Sequence, residues 1–307
     1  MVEPQVIDTK MHGKDEITGA FLLQGATTAL VETGPLSSFD TVMAGLRSHG
    51  VDRLDWIVVT HIHLDHAGAA GALTKVFPEA RVAVHKVGAP HLVDPTKLWS
   101  SAARIYGDQM ERLWGGVEPV SESRLVVLED GDRVDLDDRT LTAYDTPGHA
   151  RHHHTFLDDH TGIAFVGDAL GVRLRDVGIV RPATPPPEFD LEEAVRSIDR
   201  IRSIGAQSLW LTHYGAANEG RDPLDVDGAC DAAIDSLQTW AKLVREARAE
   251  SRDPEVVTKA VKDRVRDADE GRLAPEDTER MEQTTSYSMN VSGYMRYLDK
   301  TERASTS

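Results

Sequence analysis

The sequence predicts an α+β fold, and three observations carry that expectation. Short apolar runs of about four to six residues read as strands, hairpin and helix signals separate them, and the last stretch of the chain carries helix signals only. At 307 residues the chain can bury a core for one domain of roughly 200–250 residues plus an appendage. The expected division is a mixed α+β unit over 1–220 and a helical extension over 221–307.

Composition narrows the function classes. Apolar residues make up 40% and charged residues 28%, ordinary for a globular protein. The formal charge of −17, from 51 acidic against 34 basic residues, disfavours a nucleic-acid surface, which needs a basic face. Cys230 is the sole cysteine, so no disulfide framework forms and a reducing compartment is expected. It lies in a helical stretch and reads as a small buried apolar residue. Met1 to Lys10 has no apolar signal core, and no run of about eighteen apolar residues occurs. A cytoplasmic location without membrane contact is the expectation.

Phe21 to Gln24 and Thr28 to Glu32, separated around Gly25, read as a hairpin ended by Thr33-Gly34-Pro35. Ser38 to His49 is amphipathic and stops at Gly50. The run Leu54 to Val59 reads as a buried strand. Ala80 to His85 is another short strand. Asp94 as N-cap and Pro95 at the first helical position open a helix through about Trp114. Leu98, Trp99, Ile105, Tyr106 and Trp114 on it read as core packing, with a cleft wall as the second reading. Leu125 to Leu128 and Thr140 to Asp145 are strands with a turn at Gly131-Asp132. His154 to Leu157 and Ile163 to Val166 form a hairpin, and Ser208 to Leu211 is the last strand.

The chemically dense part of the chain comes directly after the Leu54 strand. His61, His63, Asp65 and His66 stand within six positions. In extended chain His61, His63 and Asp65 point to one side, where two imidazoles can grip one divalent ion. A carboxylate and a third imidazole come at once after them, too many for a single open site, so a second adjacent ion is expected. Ala67-Gly68-Ala69-Ala70-Gly71 then lets the backbone turn into a helix running to about Val76.

His-x-His-x-Asp-His after a strand and before a small-residue helix resembles the metallo-β-lactamase superfamily of metal-dependent hydrolases. The rest of the chain matches in order. Thr146-Pro147-Gly148-His149 would present the third imidazole of the ion held by His61 and His63, matching the open three-histidine zinc arrangement. Gly167-Asp168, at the end of an apolar strand, suits a carboxylate bridging two ions; His213 would complete the second set with Asp65 and His66. Glu32-Thr33-Gly34 resembles the family's early acidic turn, where Glu32 would brace a ligand. Family members carry Thr-Pro-Gly-His-x-x-Gly-His; here His152 replaces the glycine and His153 matches the second histidine. Of His152, His153 and His154, one is expected to touch substrate or support a ligand. His85 and His91 read as structural.

The resemblance covers roughly residues 15 to 220 and implies a four-layer αβ/βα sandwich with the metals at one sheet edge. Pro182 to Pro187 reads as a stiff connector, and Asp190 caps the helix after it, to about Ile204. Helical segments over Pro223–Ala249, Pro254–Asp267 and Pro275–Leu298 are similar to the extension of glyoxalase II. For the Tyr- and Met-rich stretch from Ser286 to Tyr297, packing onto the sandwich, a homodimer contact and a lid side wall compete.

The resemblance therefore implies a hydrolase with two divalent cations, zinc expected and iron or manganese compatible with the same donors. The ions would lower the pKa of a shared water to near neutrality, giving a bridging hydroxide that attacks a thioester, ester or lactone of glyoxalase-II-like type. Asp65 or Asp168 would take its proton, and Tyr214 would hydrogen-bond the oxyanion. Asp168 and the missing signal segment argue against a true β-lactamase; histidine at 63, where flavodiiron proteins carry glutamate, argues against an O₂ or NO reductase. A mononuclear iron persulfide dioxygenase is the alternative from another class, and an acyl-homoserine-type lactonase shares all seven ligands. The partner is a small-molecule substrate whose thiol carrier the sequence leaves open.

Overall fold

The computed structural model describes residues 3–268 and 270–305. Two six-stranded sheets lie face to face. The first holds β1 (Gln5–Asp8), β2 (Gly19–Leu23), β3 (Ala29–Val31), β4 (Trp56–Val58), β5 (Arg81–His85) and β6 (Leu125–Leu128) in that order. The β1–β2 and β2–β3 pairs are antiparallel, and β3 to β6 run parallel. The second sheet runs β12 (Gly215–Ala216), β11 (Ser208–Leu211), β10 (Ile163–Gly167), β9 (His154–Asp158), β8 (Thr140–Asp145), β7 (Arg133–Asp135); only its β10–β11 pair is parallel.

The period-two alternation of strand side chains produces the layers. Phe21, Leu23, Val31, Val58 and Ala83 point inward against Phe156, Phe165 and Trp210 of the second sheet. Burying each such large apolar side chain contributes roughly 1.5–3 kcal/mol. Their neighbours Leu22, Leu30, Ile57, Val59 and Val82 point outward and are covered by α1 (Phe39–Ser48), α2 (Leu64–Ala67), α3 (Ala70–Val76) and α4 (Ala89–Val93). After α5 (Thr96–Tyr106) and α6 (Met110–Trp114), the outer face of the second sheet is covered by α7 (Leu191–Ser203), α8 (Val226–Glu250), α9 (Pro254–Ala268) and α11 (Tyr287–Ser305), with α10 (Pro275–Thr284) between the last two. The four-layer α+β sandwich with C-terminal helices is therefore the observed fold.

Asp190 acts where expected: it accepts from the Glu193 N–H at 3.2 Å and starts α7. Asp94 does not: α5 starts at Thr96 with Pro95 in the cap position, and Asp94, one residue further out, closes a turn by accepting the Thr96 N–H at 3.1 Å. Cys230 is fully buried in α8. The helix expected from 94 to 114 is broken: it ends at Tyr106, Gly107 takes φ 52°, and α6 starts afresh at Met110. Glycine tolerates that conformation and releases the chain into a second direction. Edge strands β1 and β7 lack an apolar run of their own; pairing to β2 and β8 makes them strands. No helix among the described residues is long and apolar enough to cross a membrane.

Candidate metal centre

Seven side chains from four chain regions meet at the C-terminal ends of β4, β10 and β11. His61 and His63 stand in the turn after β4, and Asp65 and His66 on the first turn of α2. Gly68 lets α2 sit close: a Cβ there would lie 2.2 Å from the Leu64 carbonyl oxygen and 3.0 Å from Pro35 Cα. His149 leaves the β8–β9 connection after Gly148, whose φ of 130° favours glycine and where a Cβ would lie 2.3 Å from Ala194 Cα. Asp168 follows β10, and His213 follows β11.

The hydrogen bonds fix which ring atom faces the centre. His61 Nδ1 lies 3.0 Å from Thr60 Oγ1, whose proton goes to Glu32 Oε1 at 2.5 Å; His61 therefore donates from Nδ1 and turns the Nε2 lone pair inward. His149 Nδ1–H donates to the Ala183 carbonyl at 2.8 Å, and His213 Nδ1–H to the Ile17 carbonyl at 2.7 Å. His66 Nδ1–H donates to Glu32 Oε1 at 3.2 Å. His63 alone faces inward through Nδ1, 2.9 Å from both His61 Nε2 and His149 Nε2. On the other side His66 Nε2 lies 3.3 Å from Asp168 Oδ1 and 3.8 Å from Asp65 Oδ2, and His213 Nε2 lies 3.4 and 3.5 Å from the same two oxygens. Asp168 Oδ2 reaches back to His149 Nε2 at 3.4 Å.

This set fits divalent cations. His66 Nε2 and Asp168 Oδ1 are buried and make no hydrogen bond, so lone pair faces lone pair. Unsatisfied buried atoms are costly, and a cation or a proton must lie between them. Burial depresses His61 and His149, and takes His63 to about 3 with His149 beside it. These rings stay neutral and ready to ligate. Burial pulls His66 and His213 the same way, but Asp168, Glu32 and Asp65 outweigh it at His66, and Asp168 and Asp65 at His213. Burial would raise Asp65 and Asp168; His66 and His213 hold both low, joined at Asp168 by His149. Protons and cations thus compete for the carboxylate side of the centre.

The three bunched histidines have separate tasks. His153 accepts the Asp168 N–H on Nε2 at 3.2 Å and lies 2.8 Å from Thr146 Oγ1 through Nδ1, so it holds the backbone beneath Asp168. His152 lines the cavity over the centre, its Nε2 3.6 Å from Glu188. His154 donates to Asp145 at 2.8 Å, and His85 lies 3.4 Å from the same oxygen. His85 Nδ1 accepts the Val87 N–H at 3.0 Å, which keeps its proton on the Nε2 facing Asp145. His154 Nδ1, buried on the other side of its ring, has no hydrogen-bond partner among the described residues. Glu32, buried with φ 66°, accepts from Nδ1 of the candidate ligand His66.

Tyr214 is placed differently from the expectation. Its ring packs with Val172, Leu174, Val177 and Met281, under Arg175 at 5.5 Å, and does not line the cavity. Adjacency to His213 does not carry Tyr214 to the centre, because both residues lie in the turn between β11 and β12, where each side chain takes its own direction. Tyr106, read first as core packing and second as a cleft wall, lines the cavity of about 600 Å³ over the centre. Burial raises its hydroxyl pKa, with Asp65 and Asp168 adding to the effect. Its hydroxyl meets Met289 Sδ of α11 at 3.8 Å, so the two cavity walls touch. The Ser286–Tyr297 stretch thus serves two of its three readings: Tyr287, Tyr294 and Tyr297 pack on the sandwich, while Ser286, Ser288 and Met289 face the cavity.

Known proteins share both the fold and this part of the chain. Residues 15–207 match the sequence profile of the Metallo-beta-lactamase superfamily, and the chain belongs to that family. It is 32% identical over 169 residues to the metallo-beta-lactamase fold-containing protein ST1585 of Sulfurisphaera tokodaii, covering 54% of this chain and 62% of that one. The crystal structure of ST1585 superposes with a TM-score of 0.67 at 22% identity, over 98% of this chain and 99% of that chain. An atrochrysone carboxyl ACP thioesterase of Aspergillus fumigatus is 27% identical, the match spanning 64% of this chain and 50% of the relative. The hydroxyacylglutathione hydrolase of Maricaulis maris is 26% identical over 74% of each chain. The first two relatives are thus matched over less than two thirds of their length.

Proposed function

We propose that this protein is a dinuclear metal-dependent hydrolase of thioesters or esters, lactones included. The observation that carries the reading is the pair of converging donor sets, His61, His63 and His149 against Asp65, His66 and His213, with Asp168 reaching both. Zinc is the expected ion, iron and manganese being compatible with these donors. Bound there, the cations would supply Lewis acidity and lower the pKa of water.

The chain's own residues do the rest. Asp65 and Asp168, held ionised, offer carboxylate oxygens to a proton leaving the nucleophilic water. Tyr106, kept protonated, is a hydrogen-bond donor over the centre for a carbonyl oxygen gaining charge. Leu98, Ala102, Ile105, Val87 and Met289 give the cavity an apolar wall, which suits an acyl chain or another apolar substituent. Lys97 and Arg112 lie on the same cavity and suit an anionic group on the leaving part. Two relatives bear the names thioesterase and hydroxyacylglutathione hydrolase, which supports the thioester reading.

Metal analysis of protein purified without added metal, followed by a panel of thioester, lactone and persulfide substrates, tests the proposal. Two divalent ions per chain with thioester or lactone turnover is the expected result. One iron per chain with oxygen uptake would replace the hydrolase by a persulfide dioxygenase.

A further inference from the structure

We propose that the C-terminal helix α11 is a working part of the metal centre: Asn290 fixes the backbone segment whose Ala183 carbonyl orients His149. This rests on the metal-binding reading above and goes beyond it, because Asn290 lies outside the family match over 15–207.

The connection is short and fully buried. His149 can turn Nε2 toward His63 only while its Nδ1–H donates to the Ala183 carbonyl, 2.8 Å away. Ala183 sits in a segment that belongs to neither sheet, so something else must hold its carbonyl in place. Asn290 brackets it from both sides. Its Nδ2 donates to the Pro182 carbonyl at 2.7 Å, and its Oδ1 accepts the Thr184 N–H at 2.9 Å. Asn290 is fully buried, and one side-chain amide thus satisfies the backbone groups flanking Ala183.

Two further features show that the contact is built. Gly293, one helical turn on, brings the α11 backbone directly against the segment: a Cβ there would lie 1.7 Å from the Thr184 carbonyl oxygen. Arg181, at the segment's start and fully buried, donates to Glu270 at 2.9 and 2.6 Å and to the Thr285 carbonyl at 2.8 Å. The segment is thereby fastened to the helical layer at both ends. A partner that holds the far nitrogen of a ligating histidine sets ring orientation, and losing such support typically costs about 10–100-fold in metal affinity. Asn290 is accordingly a positioning residue for His149.

Equilibrium titration of metal-free protein with Zn²⁺ against a chromophoric chelator, and with Co²⁺ followed by its visible d–d bands, tests this. The variants are Asn290→Ala, the milder Asn290→Ser, and Tyr294→Phe. The last removes a buried bond from the same helix to the Leu237 carbonyl, 2.8 Å long, without touching the segment. Measurements are made well below each unfolding midpoint. One ion is expected to bind about 10–100-fold more weakly in both Asn290 variants, with altered Co²⁺ bands. The other ion and the Tyr294→Phe protein should keep wild-type affinity. Unchanged binding and bands in the folded Asn290 variants would overturn the proposal, as would an equal loss in Tyr294→Phe. Wild-type protein that binds no ion at all would instead remove the metal reading on which it stands.

Discussion

Glu32 and His66 are joined across two layers: Oε1 of the buried carboxylate accepts the Nδ1–H of the imidazole at 3.2 Å. The same oxygen also receives Thr60 Oγ1 at 2.5 Å and Thr212 Oγ1 at 3.3 Å. One carboxylate after β3 thereby orients His66 directly and His61 through Thr60, and it ties down the residue preceding His213. Glu32→Ala should weaken binding of both ions, by about 10–100-fold for the ion at His66. It should also cost about 1–3 kcal/mol of stability, since three buried donors lose their acceptor. Metal titration and urea unfolding check the two effects; wild-type affinity for both ions would show that Glu32 does not brace them.

Asp168 is the carboxylate that reaches both donor sets, through Oδ1 to His66 and His213 and through Oδ2 to His149. Asp168→Ala is expected to retain the fold, to drop from two bound ions to one, and to lose most turnover. Full activity with the substitution in place would refute a two-metal mechanism.

Removing the ions should destabilise the native state, because the buried lone pairs of His66 and Asp168 are then left to protons alone. A ligand that binds only the folded state stabilises it by about 2.7 kcal/mol at a hundred times its Kd. Chelation should therefore lower Tm by several degrees, and added Zn²⁺ should restore it. A Tm indifferent to chelator and metal would contradict the assignment.

Tyr106 and Tyr214 separate by location. Tyr106→Phe is expected to reduce kcat by roughly ten- to a thousandfold if its hydroxyl meets the developing oxyanion. Tyr214→Phe should leave kcat and KM as they are, because that ring faces Val172, Leu174 and Met281. Steady-state kinetics on both variants reads the difference, and the reverse pattern would reinstate Tyr214.

His85 gives the fold an acid sensitivity independent of the metal ligands. Burial foremost, with His154 beside it, takes its pKa from 6.5 down to about 4, against the opposing pull of Asp145. Below pH 6.5 the unfolded chain binds a proton that the native state refuses, so this residue's contribution to stability falls as pH drops from about 6.5 to about 4. Urea midpoints across that window should decline less steeply in His85→Gln than in the wild type. Parallel curves would show that His85 does not carry the effect.

Residue pattern was enough to specify the sandwich and the seven side chains that converge at the candidate centre. Metal-binding residue types at the ends of apolar strands are local statements, and His61, His63, Asp65 and His66 are announced within six positions. Inward and outward faces of β2 to β5 follow from alternation, which is why the layers are legible in the chain itself. The cap at Asp190 is legible for the same reason.

Packing between distant segments chose the neighbours those residues meet. That His153 holds the Asp168 N–H, that Tyr106 rather than Tyr214 overlooks the centre, and that Asn290 fastens the carbonyl behind His149 depend on contacts 15 to 183 positions apart. Local pattern reports the face on which a side chain emerges; it does not report what another element brings to that face. Gly148 and Gly293 come nearest to bridging that gap, because a missing Cβ marks a close approach without naming its partner.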